Sequence, residues 1–349
     1  MDALIHALDP SGPAITICSP ALPAPTLRAP KEISLVVATS GSTGDSKYVA
    51  LTRDALWLSA NATHQYLQAQ PGERWALRLP LTHIAGIMVL ARSLCLDSIP
   101  AVPIMGRLDR KADFEAIVPT QLHRALTADE ELLRELQNAR AVLVGGAKLS
   151  DDLLTRARAS GINVVTTYGM SETSGGCVYN NEPLAGVEFR ITDKSLIELK
   201  GPMLATGYLD QDGRVQTSPA FHDGWFTTSD LGEIMNGNQL HVLGRTDDVI
   251  ITGGENVSLD EVEKIIRTYP GILDALCAGT PDEEWGERII VGVVADSPIT
   301  LDEIREFVGR KIDRFAAPRA IVRLDQIPLR GIGKPDRGAL SMMQSDEEI

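Results

Sequence analysis

The densest chemical content of the chain lies in Thr39-Ser40-Gly41-Ser42-Thr43-Gly44-Asp45-Ser46-Lys47. Successive backbone N–H groups in a glycine-rich turn form a concave anion site. Glycine lets the main chain approach a ligand closely. The hydroxyls add donors, and Lys47 adds a compact positive charge. The stretch is framed by a predicted buried strand (33–38) and a predicted helix (52–68), which argues against a flexible Ser/Gly linker. It is not a Walker A loop, which needs Gly before the Lys and Ser or Thr after it. Ser46 and Tyr48 stand in those places.

A second constellation is Tyr168-Gly169-Met170-Ser171-Glu172-Thr173, after a predicted strand at 163–166. In parallel sheets ligands bind at the carboxyl ends of strands, and a carboxylate beside a hydroxyl suits Mg²⁺ with phosphate. Val144-Gly145-Gly146-Ala147 follows another predicted strand, and its small residues let a ligand pack against backbone. Thr228-Ser229-Asp230 supplies a carboxylate able to accept from two ribose hydroxyls. Weaker signals are His83 in Leu79-Pro80-Leu81-Thr82-His83-Ile84-Ala85-Gly86, the turn Gly253-Gly254-Glu255-Asn256, Trp285-Gly286 and the late Gly333-Lys334. Alone, a His before an apolar helix is more often a cap, and a solitary Lys is ordinary surface.

The elements that must position these residues follow from periodicity. Strands are expected at 33–38, 75–79, 98–103, 141–144 and 163–166, and helices at 52–68, 84–96 and 150–160. That alternation predicts an α/β fold, a large N-terminal domain with a mainly parallel βαβ sheet. Residues 1–30, rich in proline, read as an irregular extended arm. After residue 180, short runs at 187–192, 196–200, 225–227 and 240–243 read as antiparallel hairpins. Strands at 247–251, 272–279 and 289–295, with helices from Ser258 (a capping box with Glu261) and at 300–308, make a small α+β unit. The expected division is 1–245, a linker at 246–248, and 249–349, with a frayed acidic tail from residue 341.

Length and charge bound the rest. The 349 residues allow roughly two domains. Lys and Arg number 33 against 47 Asp and Glu, a net charge of −14, which argues against general nucleic-acid binding. A local positive pocket for a small anion is compatible with that charge. Four scattered cysteines (Cys18, Cys95, Cys177, Cys277) suggest neither zinc site nor disulfide framework. With no leader or membrane span expected, a cytoplasmic protein follows.

Together these motifs resemble the acyl-adenylate-forming enzymes: acyl-CoA and aryl-CoA ligases, luciferases and adenylation domains. The resemblance covers residues 33–340. It implies a large domain followed by a small mobile lid, with ATP and CoA as co-substrates and Mg²⁺ as cofactor. Thr39, Ser40, Gly41, Ser42, Thr43, Gly44 and Lys47 would hold phosphate, Glu172 Mg²⁺, and Thr173 the α-phosphate. Gly146, Ala147 and Tyr168 would meet adenine, and Asp230 and Arg245 the ribose. Asp247 would be the hinge, and Lys334 would bridge the acid carboxylate and α-phosphate. His83 would border the acyl pocket, and Gly253, Gly254 and Trp285 the CoA channel. The 38 residues before the loop are fewer than typical members carry, so a reduced N-terminal subdomain is expected, with homodimerisation to cover a sheet edge. Short members resemble the o-succinylbenzoate–CoA ligases of menaquinone biosynthesis; the alternatives are another aryl- or short acyl-CoA ligase, or an adenylate-binding protein that has lost catalysis. For that dicarboxylate, Ser174 and Gly175, with Gly176, are candidate donors, and Arg78 and Arg92 are cations nearby in the chain.

Overall fold

The computed structural model describes residues 2–7, 12–17, 29–40, 46–210, 212–216, 218–330 and 334–345. The chain divides into two compact units. One is Met1–Thr228 with Gly232–His241, the other Ser229–Leu231 with Val242–Ile349.

Two sheets organise the first unit. The first runs in the order Ile15–Ile17, Ile33–Ser40, Ser46–Thr52, Gly207–Leu209, Val215–Gln216. Only its first pair is parallel; the others are antiparallel. The strand expected at 33–38 is therefore present but belongs to a mainly antiparallel sheet. The reason lies in Ser46–Thr52, where Tyr48, Val49 and Leu51 favour extended backbone and Val49, Ala50 and Leu51 are fully buried. The helix starts only at Arg53, where Thr52 Oγ1 accepts from Ala55 N at 3.1 Å, and runs to Leu67. Leu35, Val37, Val49 and Leu51 pack on Leu56 and Ala60 of this helix and on Ile87 and Met88 of the helix Ile84–Cys95. The expected irregular arm holds the helix Asp2–Ala7 and the strand Ile15–Ile17 among its described residues.

The second sheet carries the expected parallel core. Trp75–Ala76, Phe114–Ile117, Ala141–Val144 and Val164–Met170 run parallel. Gly175–Tyr179 then returns antiparallel. Helices Pro119–Thr127, Glu130–Asn138 and Asp151–Ala159 cover it through Leu122, Leu136, Leu153 and Ala157. Two expected strands shrink. The one at 75–79 is two residues long, and 98–103 holds only a bridge from Ala101 to Ala76 and the start of the two-residue strand Pro103–Ile104. Pro100 and Pro103 lack the N–H a ladder requires. The strand at 163–166 instead extends to Met170. Glu188–Ile191 and Leu196–Lys200 form the expected hairpin, and Trp225–Met235 is far longer than anticipated.

In the second unit, Glu255–Ser258, Val249–Thr252, Gly286–Ala295 and Ile272–Asp282 lie in that order, with Ala320–Arg323 parallel to Gly286–Ala295. Helices Leu259–Ile266 and Leu301–Lys311 bury Val262, Ile266, Ile304 and Val308 against Ala275, Ile289 and Val291. The expected strand at 247–251 begins at Val249, because Thr246–Asp248 is a 3₁₀ turn. Ser258 Oγ accepts from Glu261 N, while the reciprocal capping box forms at Thr300 and Glu303. Of the tail expected to fray from residue 341, residues 341–345 end the helix Arg337–Ser345, and 346–349 lie outside the described residues.

Candidate active site

The glycine-rich stretch closes a β-hairpin and does not join a strand to a helix. Thr39 pairs with Lys47 and Ser40 with Ser46, so the two strands are in register up to the tip. Thr39 Oγ1 donates to Lys47 O at 3.3 Å. Gly41, Ser42, Thr43, Gly44 and Asp45 lie outside the described residues. Lys47 is exposed, its Nζ 5.3 Å from the centre of the Tyr208 ring.

Tyr168 lies within the strand Val164–Met170, and the single 3₁₀ turn Ser171–Thr173 carries the acidic group. Chain reversal here leaves no room at Gly169, where a Cβ would stand 2.1 Å from Gly175 O. Thr173 and Ser174 are completely buried. Thr173 Oγ1 accepts from Met170 N at 2.9 Å and lies 2.7 Å from Gly175 O. Ser174 Oγ donates to Met203 O at 2.8 Å. These hydroxyls shape the turn, so neither the α-phosphate expected for Thr173 nor the second carboxylate expected for Ser174 finds a donor there. Gly175, also buried, spends its carbonyl on Thr173. The hydroxyl at the half-buried rim is Ser171, beside Glu172. Sequence reading missed it although it stands within the motif.

Glu172 is held twice. Its carbonyl accepts from Ala205 N at 2.8 Å, and its Oε1 accepts from the Tyr208 hydroxyl at 3.0 Å. Burial, then the Glu172 charge, pushes the Tyr208 phenol well above its ordinary range, so it stays a donor. Among the described residues no cluster of three or more His, Cys, Asp or Glu could cage a metal. A single oriented carboxylate instead fits Mg²⁺ whose remaining ligands are phosphate oxygens and water.

Beside this turn, Gly146 and Ala147 are exposed just beyond Ala141–Val144, the parallel neighbour of the Tyr168 strand. A Cβ on Gly145 would meet Thr167 Oγ1 at 2.2 Å, so that glycine serves close strand packing. His83 occupies the N-cap position of Ile84–Cys95 and makes no side-chain cap bond.

The two neighbouring arginines part company. Arg78 bonds Glu115 at 2.7 Å and also Glu135, so its charge is already matched. Arg92 is 4% exposed, and among the described residues no carboxylate pairs with it. Its guanidinium lies 4.9 Å from the Trp75 ring, Nη2 donates to the Tyr179 hydroxyl at 3.3 Å, and Nε has no partner. His64, which accepts from Trp75 Nε1 at 3.2 Å, is pushed down to about 4 by burial and by Arg92. Burial pushes Cys95 and Cys177 up to about 12, so neither is a ready nucleophile.

In the second unit, Arg245 Nη1 donates to Asp230 Oδ1 at 2.7 Å, bringing the two residues expected at the ribose together. Asp247 is in the Thr246–Asp248 turn, tied by Thr246 Oγ1 to Ser229 O at 3.2 Å. Gly253 and Gly254 have φ of +60° and +86°, the two-residue hairpin turn expected from the sequence. Trp285 has Arg319 stacked 3.6 Å from its ring centre and Phe315 edge-on at 6.1 Å. A nucleobase arriving there would share the ring with Arg319. Lys334 pairs with Arg330 in a two-residue ladder; Gly333 lies outside the described residues. Three residues on, Arg337 bonds Asp248 at 2.8 Å, Asp260 at 2.7 Å, and Glu263.

The family described as AMP-binding enzyme matches residues 6–209, and the AMP-binding enzyme C-terminal domain matches 261–334. A probable 2-succinylbenzoate–CoA ligase of Mycobacterium tuberculosis (strain CDC 1551 / Oshkosh) is 40% identical over 327 residues, covering 88% of this chain and 84% of the relative. The 2-succinylbenzoate–CoA ligase of Listeria monocytogenes serotype 4b (strain F2365) is 30% identical, covering 89% and 70%. The o-succinylbenzoate coenzyme A synthetase MenE of Bacillus subtilis, solved with ATP and magnesium ion, aligns with TM-score 0.75 at 26% identity, covering 88% and 70%. ATP-bound MatB from Rhodopseudomonas palustris aligns with TM-score 0.79 at 27% identity, covering 91% and 69%. The chain belongs to the AMP-binding enzyme family.

Proposed function

We propose that this enzyme is an acid–CoA ligase whose acid is 2-succinylbenzoate, acting in menaquinone formation. The observation that carries the reading is the corner where Lys47 of the phosphate hairpin and Glu172 of the 3₁₀ turn meet on Tyr208. The relatives' shared activity supports the choice of acid. The acid carboxylate attacks the α-phosphorus of ATP, forming acyl-AMP and releasing pyrophosphate. The CoA thiol then attacks the acyl carbon, forming the thioester and releasing AMP and a proton.

All reactants of the first step are anions, so the site must supply positive charge and oriented donors. The hairpin, Ser171 and Lys47 fill that role, with Lys334 arriving on the second unit. Mg²⁺ supplies phosphate charge neutralisation when bound, and Glu172 is the residue that would hold it. Asp230 and Arg245 take the ribose, Tyr168, Gly146 and Ala147 the adenine, and His83 borders the acyl pocket. Asp247 serves as hinge between the domains expected from the sequence, 1–245 and 249–349, while Gly253, Gly254 and Trp285 border the CoA channel. No buried thiol or general base is required.

The second carboxylate of the acid falls to Arg92. A buried guanidinium without a carboxylate needs an anion, and the substrate provides one. We place the enzyme in the cytoplasm, in keeping with free thiols at Cys95, Cys177 and Cys277; no helix of the described residues is long and apolar enough to cross a membrane. A homodimer is part of this reading: exposed Ile99, Ile104 and Met105 give the first unit apolar side chains to cover, and light scattering at one chain mass would remove it.

The test is product mass spectrometry with ATP, Mg²⁺, CoA and a panel of 2-succinylbenzoate, benzoate and short fatty acids. 2-Succinylbenzoyl-CoA alone is expected. Acyl-CoA from another acid would keep the reaction and overturn the substrate. Acyl-AMP without thioester would point to a different thiol acceptor.

A further inference from the structure

Tyr208 is used by no step above, yet it touches both charged residues of the phosphate corner. Its strand, Gly207–Leu209, pairs with Ser46–Thr52, with Tyr208 opposite Val49. Lys47 is two residues from Val49 and so shares that face of the sheet. The Tyr208 ring is fixed edge-on by Phe221 at 5.6 Å. Its hydroxyl reaches Glu172 on the turn that closes the other sheet, three residues from where Ala205 N grips the Glu172 carbonyl.

Lys47 and Glu172 form no ion pair among the described residues. Direct pairing would cancel the two charges that a metal–triphosphate needs on opposite sides. The tyrosine ring stands between them: its face meets the cation and its hydroxyl occupies one carboxylate oxygen. Nothing else among the described residues bonds the Glu172 carboxylate.

We propose that Tyr208 is a positioning residue for metal–nucleotide binding, committing Glu172 Oε1 to the protein so that Oε2 meets the cation, while its ring keeps Lys47 off Glu172. This rests on the metal role of Glu172 in the function proposed above. Groups that orient a metal-binding carboxylate typically matter to metal affinity while leaving the fold intact.

The experiment is calorimetric titration of the full chain with Mn²⁺–ATP and, separately, with ATP in EDTA, without acid or CoA. Tyr208→Phe keeps the ring and removes only the hydroxyl. Its Mn²⁺–ATP affinity is expected to fall roughly tenfold, with metal-free ATP affinity and melting temperature unchanged. Unchanged Mn²⁺–ATP affinity, or an equal loss with and without metal, would overturn the proposal. Glu172→Gln separates the two levels. If it loses the metal-dependent increment while Tyr208→Phe does not, only the Tyr208 role is wrong. If it binds Mn²⁺–ATP normally, the metal role of Glu172 fails and the proposal falls with it.

Discussion

Two arginines, one in each unit, are built on opposite plans: Arg92 is buried and Arg337 half-buried. Arg337 in the second unit is surrounded by Asp248, Asp260 and Glu263, and it also donates to Cys277 O at 2.5 Å. Burial works against its charge, and Glu263 with Asp248 and Asp260 more than offsets that, holding its pKa above the ordinary value. Arg92 in the first unit has aromatic rings, a phenol and a neutral histidine around it, and no carboxylate among the described residues. A cation matched inside the chain ties the fold together. A buried cation with no carboxylate of the chain beside it is, on the proposed function, where the second carboxylate of the acid would complete an ion pair.

The comparison breaks most visibly on replacement by methionine, which keeps volume and removes charge. Arg337→Met leaves Glu263 buried beside Asp248 and Asp260 with Arg267, at 3.2 Å, as its remaining guanidinium. A loss of about 3 kcal/mol in unfolding free energy is expected, read by denaturant titration. Glu263, already raised by burial despite Arg337, would rise further. A loss below about 1 kcal/mol would show that the three carboxylates do not depend on Arg337.

Arg92→Met should do the reverse. It strands no carboxylate, so unfolding free energy is expected to hold or rise. Activity then falls by about 100-fold in kcat/KM for 2-succinylbenzoate, the scale expected when a dry site is deprived of one charge-assisted hydrogen bond. An aromatic monocarboxylate should lose far less. Equal loss on both acids would mean that Arg92 supports the pocket without reading the second carboxylate.

These two sites also mark what the sequence can disclose. The caps at Thr52 and Ser150, and the Gly253-Gly254 turn, are legible because each rests on contacts within four residues. The residues of the phosphate hairpin are legible as chemistry but not as a hairpin, because its partner strand reads as the approach to the helix. Residues 114–138 escape because Glu115, in mid-strand, reads as exposed until Arg78 is placed beside it. The inward turn of Thr173 and Ser174 depends on Met203 and Ser59, far away in the chain. Arg78 and Arg92 look equivalent in sequence because their difference lies wholly in tertiary neighbours.

A third probe uses the histidine beside Arg92. His64 titrates near 4 when folded, against 6.5 when unfolded. As pH falls below 6.5 the unfolded chain takes the proton first. The stability His64 contributes is therefore complete above 6.5 and is lost progressively down to 4. By pH 5 the loss is about 2 kcal/mol, from about 1.5 pH units. His64→Gln, which keeps an acceptor for Trp75, should flatten that limb in urea titrations between pH 4 and 6.5. Arg92→Met should shrink it, because Arg92 is the second cause of the depression. An unchanged limb in both variants would place the acid sensitivity elsewhere.

The smallest effect sets the scale for the others. Arg310 pairs with Glu306 one helical turn away on Leu301–Lys311, both side chains well exposed at 76% and 64%. Water screens such a pair, and ordering two long side chains offsets much of the attraction. Arg310→Ala is expected to cost about 0.3 kcal/mol and to lose even that in high salt. Arg337→Met should keep most of its cost in salt, because its partners are largely removed from water. If the two losses were similar in size and in salt response, burial would not be what separates them. The contrast between a matched and an unmatched interior cation would then lose its physical basis.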